Sequence, residues 1–80
     1  GLEPEVAFGK VLRALRKQAG YSQEQLALDA DLQRNYISLL ERGANSASIK
    51  TLYKLASVLR ISPAKMLEQA DQMRAKERSQ

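Results

Sequence analysis

The chain has no cysteine, no histidine and no tryptophan. Without cysteine it forms no disulfide and offers no thiolate nucleophile. Without histidine as well, the usual zinc ligand sets and the commonest general base are missing. No glycine-rich phosphate loop and no nucleophile–base set can be assembled, so neither an enzyme, a metal site nor a cofactor is expected. Glycine and proline are scarce, at four and two in 80 residues, and the aromatics are three tyrosines and one phenylalanine. So few chain breakers among so many aliphatic residues predict an all-α domain. No apolar run approaches the roughly 20 residues needed to span a bilayer, and nothing resembles a signal peptide. No membrane partner is expected, and a cytoplasmic location is. A single domain of this size buries only about two thirds of its unfolded surface, so a partner subunit would help its stability. No effector pocket fits in this length, and no small-molecule ligand is expected.

The chain does carry a net charge of +4 and a pI of about 9.7. The excess is concentrated: nine basic and four acidic residues lie between Lys10 and Arg60. A basic centre suits a polyanionic partner, and a solvated surface of ordinary lysines would look the same.

Apolar periodicity predicts five helices. Phe8, Val11, Leu12, Leu15 and Ala19 mark a first helix over 4–19, stopped by Gly20, with Pro4 in its first turn. The segment SQEQLALDADLQRNYISLLERG, residues 22–43, reads as a helix, a tight turn and a second helix. Ser22 caps the helix over 23–30, Gln25 completes a capping box, and Tyr21 and Leu26 form a hydrophobic staple. After the turn at Asp31-Leu32 the pattern restarts over 33–42. There Ile37, Leu40 and part of Tyr36 face inward, and Arg34, Asn35, Ser38 and Leu39 face outward. Gly43 ends that helix as a left-handed cap. Ser48 caps a fourth helix that carries Ile49, Leu52, Leu55, Ala56 and Leu59 inward. Ser62-Pro63 opens a fifth, whose apolar face holds Met66, Leu67, Ala70 and Met73, with Ile61 and Met66 as its staple. The folded part is expected over about 4–72 of a single domain spanning 1–80, with polar residues 74–80 frayed.

On these residues the chain resembles the Cro/C1-type (XRE-like) helix-turn-helix family of bacterial and phage transcription regulators. The likeness runs from about Val11 to Leu67 through LRALRKQAGYSQEQLA, YISLLERG and SIKTLYKLASVLRIS, in order and at the family's spacing. RNYISLLERG and SIKTL resemble the controller proteins of restriction-modification systems more than phage repressors. The resemblance implies a compact five-helix Cro/C1 repressor-like fold and a homodimer on a near-palindromic operator. It departs at one place: the turn position that is often glycine is Asp31, which tolerates the left-handed conformation better than most residues.

In this motif the second helix lies in the major groove of double-stranded DNA. Arg34 would then present its guanidinium to guanine O6 and N7, and Asn35 could pair with adenine. Ser38 reaches a base edge or a phosphate. Leu39 meets either a thymine methyl or a packing or dimer contact. Tyr36 is mostly core, with its hydroxyl on DNA. Gln23, at the start of the second helix, is a phosphate ligand by helix polarity and by the resemblance. Arg42, Asn45, Ser46 and Lys50 can track the flanking backbone; Ser48 is a phosphate contact or, more simply, a cap. Arg16 and Glu41 could suggest catalysis, but they match a family pair that forms an internal salt bridge. By the same resemblance the dimer surface involves Ile61, Met66, Leu67, Ala70 and Met73, some of which must instead close the core. Related activators offer acids on the second helix to RNA polymerase, here Glu24 with Asp29, although two carboxylates on a solvated helix need no such role. The rival to a sequence-reading regulator is a protein-interaction module on the same fold, such as an antitoxin or bridging factor, that binds DNA only non-specifically.

Overall fold

The computed structural model describes residues 2–78, arranged as α1 (Pro4–Gln18), α2 (Gln23–Asp29), α3 (Arg34–Glu41), α4 (Ile49–Leu59) and α5 (Pro63–Arg78). No strand occurs among them. The five-helix all-α expectation holds, with α1, α2 and α3 each a residue shorter at one or both ends than the sequence pattern predicts.

One core forms from all five helices. Leu12, Leu26, Ile37, Leu40, Leu55 and Met66 are its largest fully buried side chains, one or more from each element. A smaller cluster of Ala7, Val11 and Ala70 joins α1 to α5, with Leu2, Leu15 and Met73 packed around it. Each fully buried aliphatic side chain contributes about 1.5 to 3 kcal/mol relative to exposure.

Four successive helices end in the same way. Gly20 (φ 80°), Asp31 (φ 56°), Gly43 (φ 72°) and Arg60 (φ 57°) adopt left-handed backbone within two residues of the ends of α1, α2, α3 and α4. In each case the following amide reaches back across the last turn: Tyr21 N to Arg16 O, Leu32 N to Ala27 O, Ala44 N to Leu39 O and Ile61 N to Ala56 O, at 2.8–3.1 Å. This pattern satisfies carbonyls that the helix end would otherwise orphan, and it turns the chain sharply. The side-chain caps at the starts form as expected. Gln25 N donates to Ser22 Oγ (3.0 Å), Thr51 N to Ser48 Oγ (3.1 Å) and Lys65 N to Ser62 Oγ (3.0 Å).

Several expectations are corrected. The capping box at α2 is only half made, because the Gln25 side chain bonds Asp29 Oδ1 (2.9 Å), one turn on, instead of reaching back. Ile49 is 71% exposed. As the first residue of α4 it stands at the edge of the apolar stripe, where no neighbouring helix covers it. Ala19 is exposed as well, since it lies past the last turn of α1. Of the residues assigned to the dimer surface, Met66 and Ala70 are buried within this one chain, Met66 in the main core and Ala70 against α1. The segment expected to fray continues α5 to Arg78. Strong helix formers fill it, Met73 packs against the α1–α5 cluster, and Arg74 Nε donates to Leu2 O (2.9 Å). Residues 79 and 80, the end of that expected tail, lie outside the described residues.

Candidate nucleic-acid interface

The helix-turn-helix is built from α2, the Asp31 turn and α3. Asp31 is held by backbone geometry rather than by its own carboxylate, which is 98% exposed at its side chain and lies 3.8 Å from Lys54 Nζ. Lys54 Nζ also donates to Asp31 O (3.4 Å), so α4 supports the turn from outside. The expected tolerance of aspartate at this position is thus realised.

What orients α3 is a buried ion pair. Arg16 Nε donates to Glu41 Oε2 at 2.6 Å and Arg16 Nη2 to Glu41 Oε1 at 3.1 Å, while Arg16 Nη1 donates to Tyr21 O at 2.9 Å. Both side chains are almost wholly removed from solvent. Two-point contact with a carboxylate suits the planar guanidinium. Hydrogen bonding to Glu41 raises the Arg16 pKa above the ordinary arginine value against the opposing effect of burial. Arg16 is therefore a fixed positive charge, and its geometry is that of a structural clamp between α1 and the end of α3.

Two contributors to this clamp are not picked out by the sequence reading. Gln23 Nε2 donates to Glu41 Oε1 (3.0 Å), which ties the start of α2 into the same node. Gly9 lies where α1 crosses the end of α3: a Cβ there would fall 2.8 Å from Glu41 O and closer still to Leu40 O. A lone glycine inside a helical pattern is a signal for such close approach, and Gly9 was legible on that ground. The Gln23–Glu41 bond has no comparable signature, because it depends on how α2 and α3 fold back on each other.

The outward residues sit as follows. Arg34 and Asn35 are exposed, and neither side chain has a partner among the described residues. Ser38 and Leu39 are half-buried; so is Tyr36, which packs against the core beside buried Ile37 and Leu40. Arg42 is exposed and folds back so that Nε donates to Ser38 O (3.4 Å). Asn45, Ser46 and Lys50 are exposed along the loop and first turn after α3. Ser48 Oγ both caps α4 and donates to Thr51 Oγ1 (3.0 Å), so its one proton faces inward. The cap accounts for it. Glu24 is exposed on α2, whereas the Asp29 carboxylate is engaged by Gln25.

Comparison with known proteins agrees with this geometry. A family model described as helix-turn-helix matches residues 12–66. The control protein C.BamHI of Bacillus amyloliquefaciens is 37% identical over 62 residues, covering 76% of this chain and 76% of its own length. The crystal structure of the restriction-modification controller protein C.AhdI from Aeromonas hydrophila superposes with a TM-score of 0.76 at 42% identity, over 78% of this chain and 94% of that one. SinR, the master regulator for biofilm formation, crystallised in complex with DNA, gives a TM-score of 0.73 at 34% identity, over 75% of this chain and 97% of that one. The α2–turn–α3 unit, its supporting clamp and these likenesses agree: the chain belongs to the Cro/C1-type helix-turn-helix family of DNA-binding transcription regulators, a family without enzymatic activity.

Proposed function

We propose that this regulator reads a specific double-stranded DNA sequence as a homodimer on a near-palindromic operator, with α3 in the major groove. The observation that carries this reading is the start of α3, where Arg34 and Asn35 stand exposed and unpartnered among the described residues, opposite the buried Ile37–Leu40 face. An adaptor surface has no use for two donors of this kind side by side, whereas guanine and adenine edges accept them in two-point contacts. Ser38 and Leu39, one turn along, complete the reading face. Gln23, Arg42, Asn45, Ser46 and Lys50 contact phosphates and set register, with the Tyr36 hydroxyl as a minor contributor; Ser48, whose proton goes to Thr51, is left to its cap. The likeness to SinR, whose structure was solved in complex with DNA, supports the DNA-binding part of this reading. The likeness to C.BamHI and C.AhdI favours control of restriction-modification genes as the class of regulation.

A dimer is required because one reading head covers too few base pairs for tight binding, and two heads must sit about 34 Å apart to enter successive major grooves on one side of the duplex. With Met66 and Ala70 buried, the surface is assigned to what the monomer leaves over. A hollow of about 210 Å³ opens between the start of α1, the loop before α4, and α5, with Phe8, Leu52 and Leu67 in its lining and exposed Ile49 at its edge. A knob beside a hollow on the same chain is self-complementary under a two-fold axis. Each Ile49 enters the other copy's hollow. Ile61 and Met73 are both half-buried and line no part of this hollow. An activating contact with RNA polymerase is assigned to Glu24.

Selection from a randomised duplex pool, followed by titration of the enriched site, tests the reading. A two-fold symmetric site is expected, lost when Arg34 or Asn35 becomes alanine. No enrichment above random DNA overturns it and leaves the protein-interaction module.

A further inference from the structure

Glu41 is buried, yet its carboxylate serves more than the ion pair. Its Oε1 accepts from Arg16 Nη2 and also from Gln23 Nε2, the amide at the start of α2. An amide side chain has two ends, a donating nitrogen and an accepting oxygen, and without a fixed partner it can turn either toward a ligand. Only the nitrogen end can bind a phosphate; the oxygen end repels it. A carboxylate beneath the amide resolves this choice, because only the nitrogen can face it. One N–H is then directed at Glu41, and the second, fixed in the same plane, has no partner among the described residues.

We propose that Glu41 is a positioning residue for DNA binding, which orients the Gln23 amide so that its second N–H is set toward a DNA phosphate before the duplex arrives. This rests on the reading that the α2–α3 face meets DNA, and deepens it. Arg16 fixes the Glu41 carboxylate by two hydrogen bonds, and Glu41 in turn fixes Gln23, so a clamp at the α1–α3 crossing extends to the DNA surface. Pre-ordering a side chain that would otherwise lose rotamer freedom on binding strengthens the complex without a new contact.

The test is a double-mutant cycle read on both the enriched operator and a random-sequence duplex. In the wild-type background, Gln23→Ala is expected to weaken both complexes by the same factor, about tenfold or more, as loss of a hydrogen bond to a charged group does. The slope of affinity against salt stays unchanged, because a neutral donor displaces no counter-ion. Single loss of Glu41 would strand the Arg16 charge, so the second background is Arg16→Met with Glu41→Leu, which replaces the pair by apolar side chains of similar reach. There Gln23→Ala is expected to change affinity less than twofold. An equal loss in both backgrounds, or no loss in the wild type, overturns the proposal. A second readout needs no variant: in the free wild-type protein one Gln23 side-chain amide proton should resonate downfield and exchange slowly, and the other should shift on adding duplex. Two equivalent, fast-exchanging protons in the free protein overturn it equally. A chain that enriches no sequence would sink the operator reading alone, since the cycle is also read on random DNA.

Discussion

At the scale of single residues, α3 is held by a few contacts that tolerate little change. Gly9 allows the backbone of α1 to approach the last carbonyls of α3, and a methyl group there meets backbone oxygens that cannot move without shifting α3. Gly9→Ala should cost about 1 to 3 kcal/mol in urea denaturation, the range for overpacking, despite alanine's better helix propensity. An unchanged or raised midpoint would show that the crossing is looser than described. Glu41→Ala leaves the buried Arg16 guanidinium uncompensated and should cost about 3 to 5 kcal/mol, more than the exposed Lys65–Glu68 pair, which should be worth less than about 1. The pH behaviour follows from the sign of the shift. A basic group whose pKa is raised on folding contributes stability that is complete below its unfolded pKa and is lost as pH rises through the folded one. For Arg16 that window lies above the ordinary arginine range, so Arg16 adds no slope to a stability profile at neutral or moderately alkaline pH.

At the scale of elements, four helices share one way of stopping, and two of the four stops use a residue that disfavours the geometry. Asp31 and Arg60 carry side chains at φ 56° and 57°, where an L-residue costs about 1 to 2 kcal/mol relative to right-handed backbone. Glycine removes that cost but adds unfolded-state entropy. Arg60→Gly should therefore stabilise the fold by up to about 1 kcal/mol, seen as a higher thermal midpoint; a lower one would mean that the Arg60 side chain contributes packing of its own. The same scale separates the roles along α3 and the loop after it. Arg34→Ala should relax discrimination at one operator position by about 1 to 3 kcal/mol. Lys50→Ala should instead weaken all sequences alike and lower the salt slope by about one. If Lys50→Ala changed sequence preference, the assignment of phosphate and base contacts along this face would be wrong.

At the scale of the whole molecule, the distribution of exposed apolar side chains decides how two copies could meet. Leu28, Ile49, Tyr53 and Leu67 are the exposed large hydrophobics, and Ile49 and Leu67 both line the hollow against Phe8 and Leu52. Leu28 stands apart on α2. Ile49→Asp should convert the proposed dimer to a monomer in sedimentation equilibrium without lowering the thermal midpoint of the monomer, because the site is 71% exposed there. Operator binding should then weaken far more than binding of a single half-site. A dimer that survives this substitution would move the interface away from the hollow.

Local chemistry by itself determined the helices, their starts and most of their stops. Ser22, Ser48 and Ser62 cap because a hydroxyl lies three residues before an unpaired amide. Gly20 and Gly43 end helices because they tolerate left-handed backbone. The helix-turn-helix and its outward Arg34–Asn35 pair were legible for the same reason: a 3.6-residue period assigns faces within one helix without reference to anything outside it. Tertiary structure alone decided how shared apolar positions were divided. Met66 and Ala70 went to the core and Ile49 to the surface, because periodicity reports which face is apolar but not which neighbour covers it. It also decided that Gln23 faces Glu41, that Arg60 turns left-handed, and that α5 continues to Arg78 against the chain's own start. Each depends on residues brought together by the angles between helices, and those angles come from packing the whole core at once.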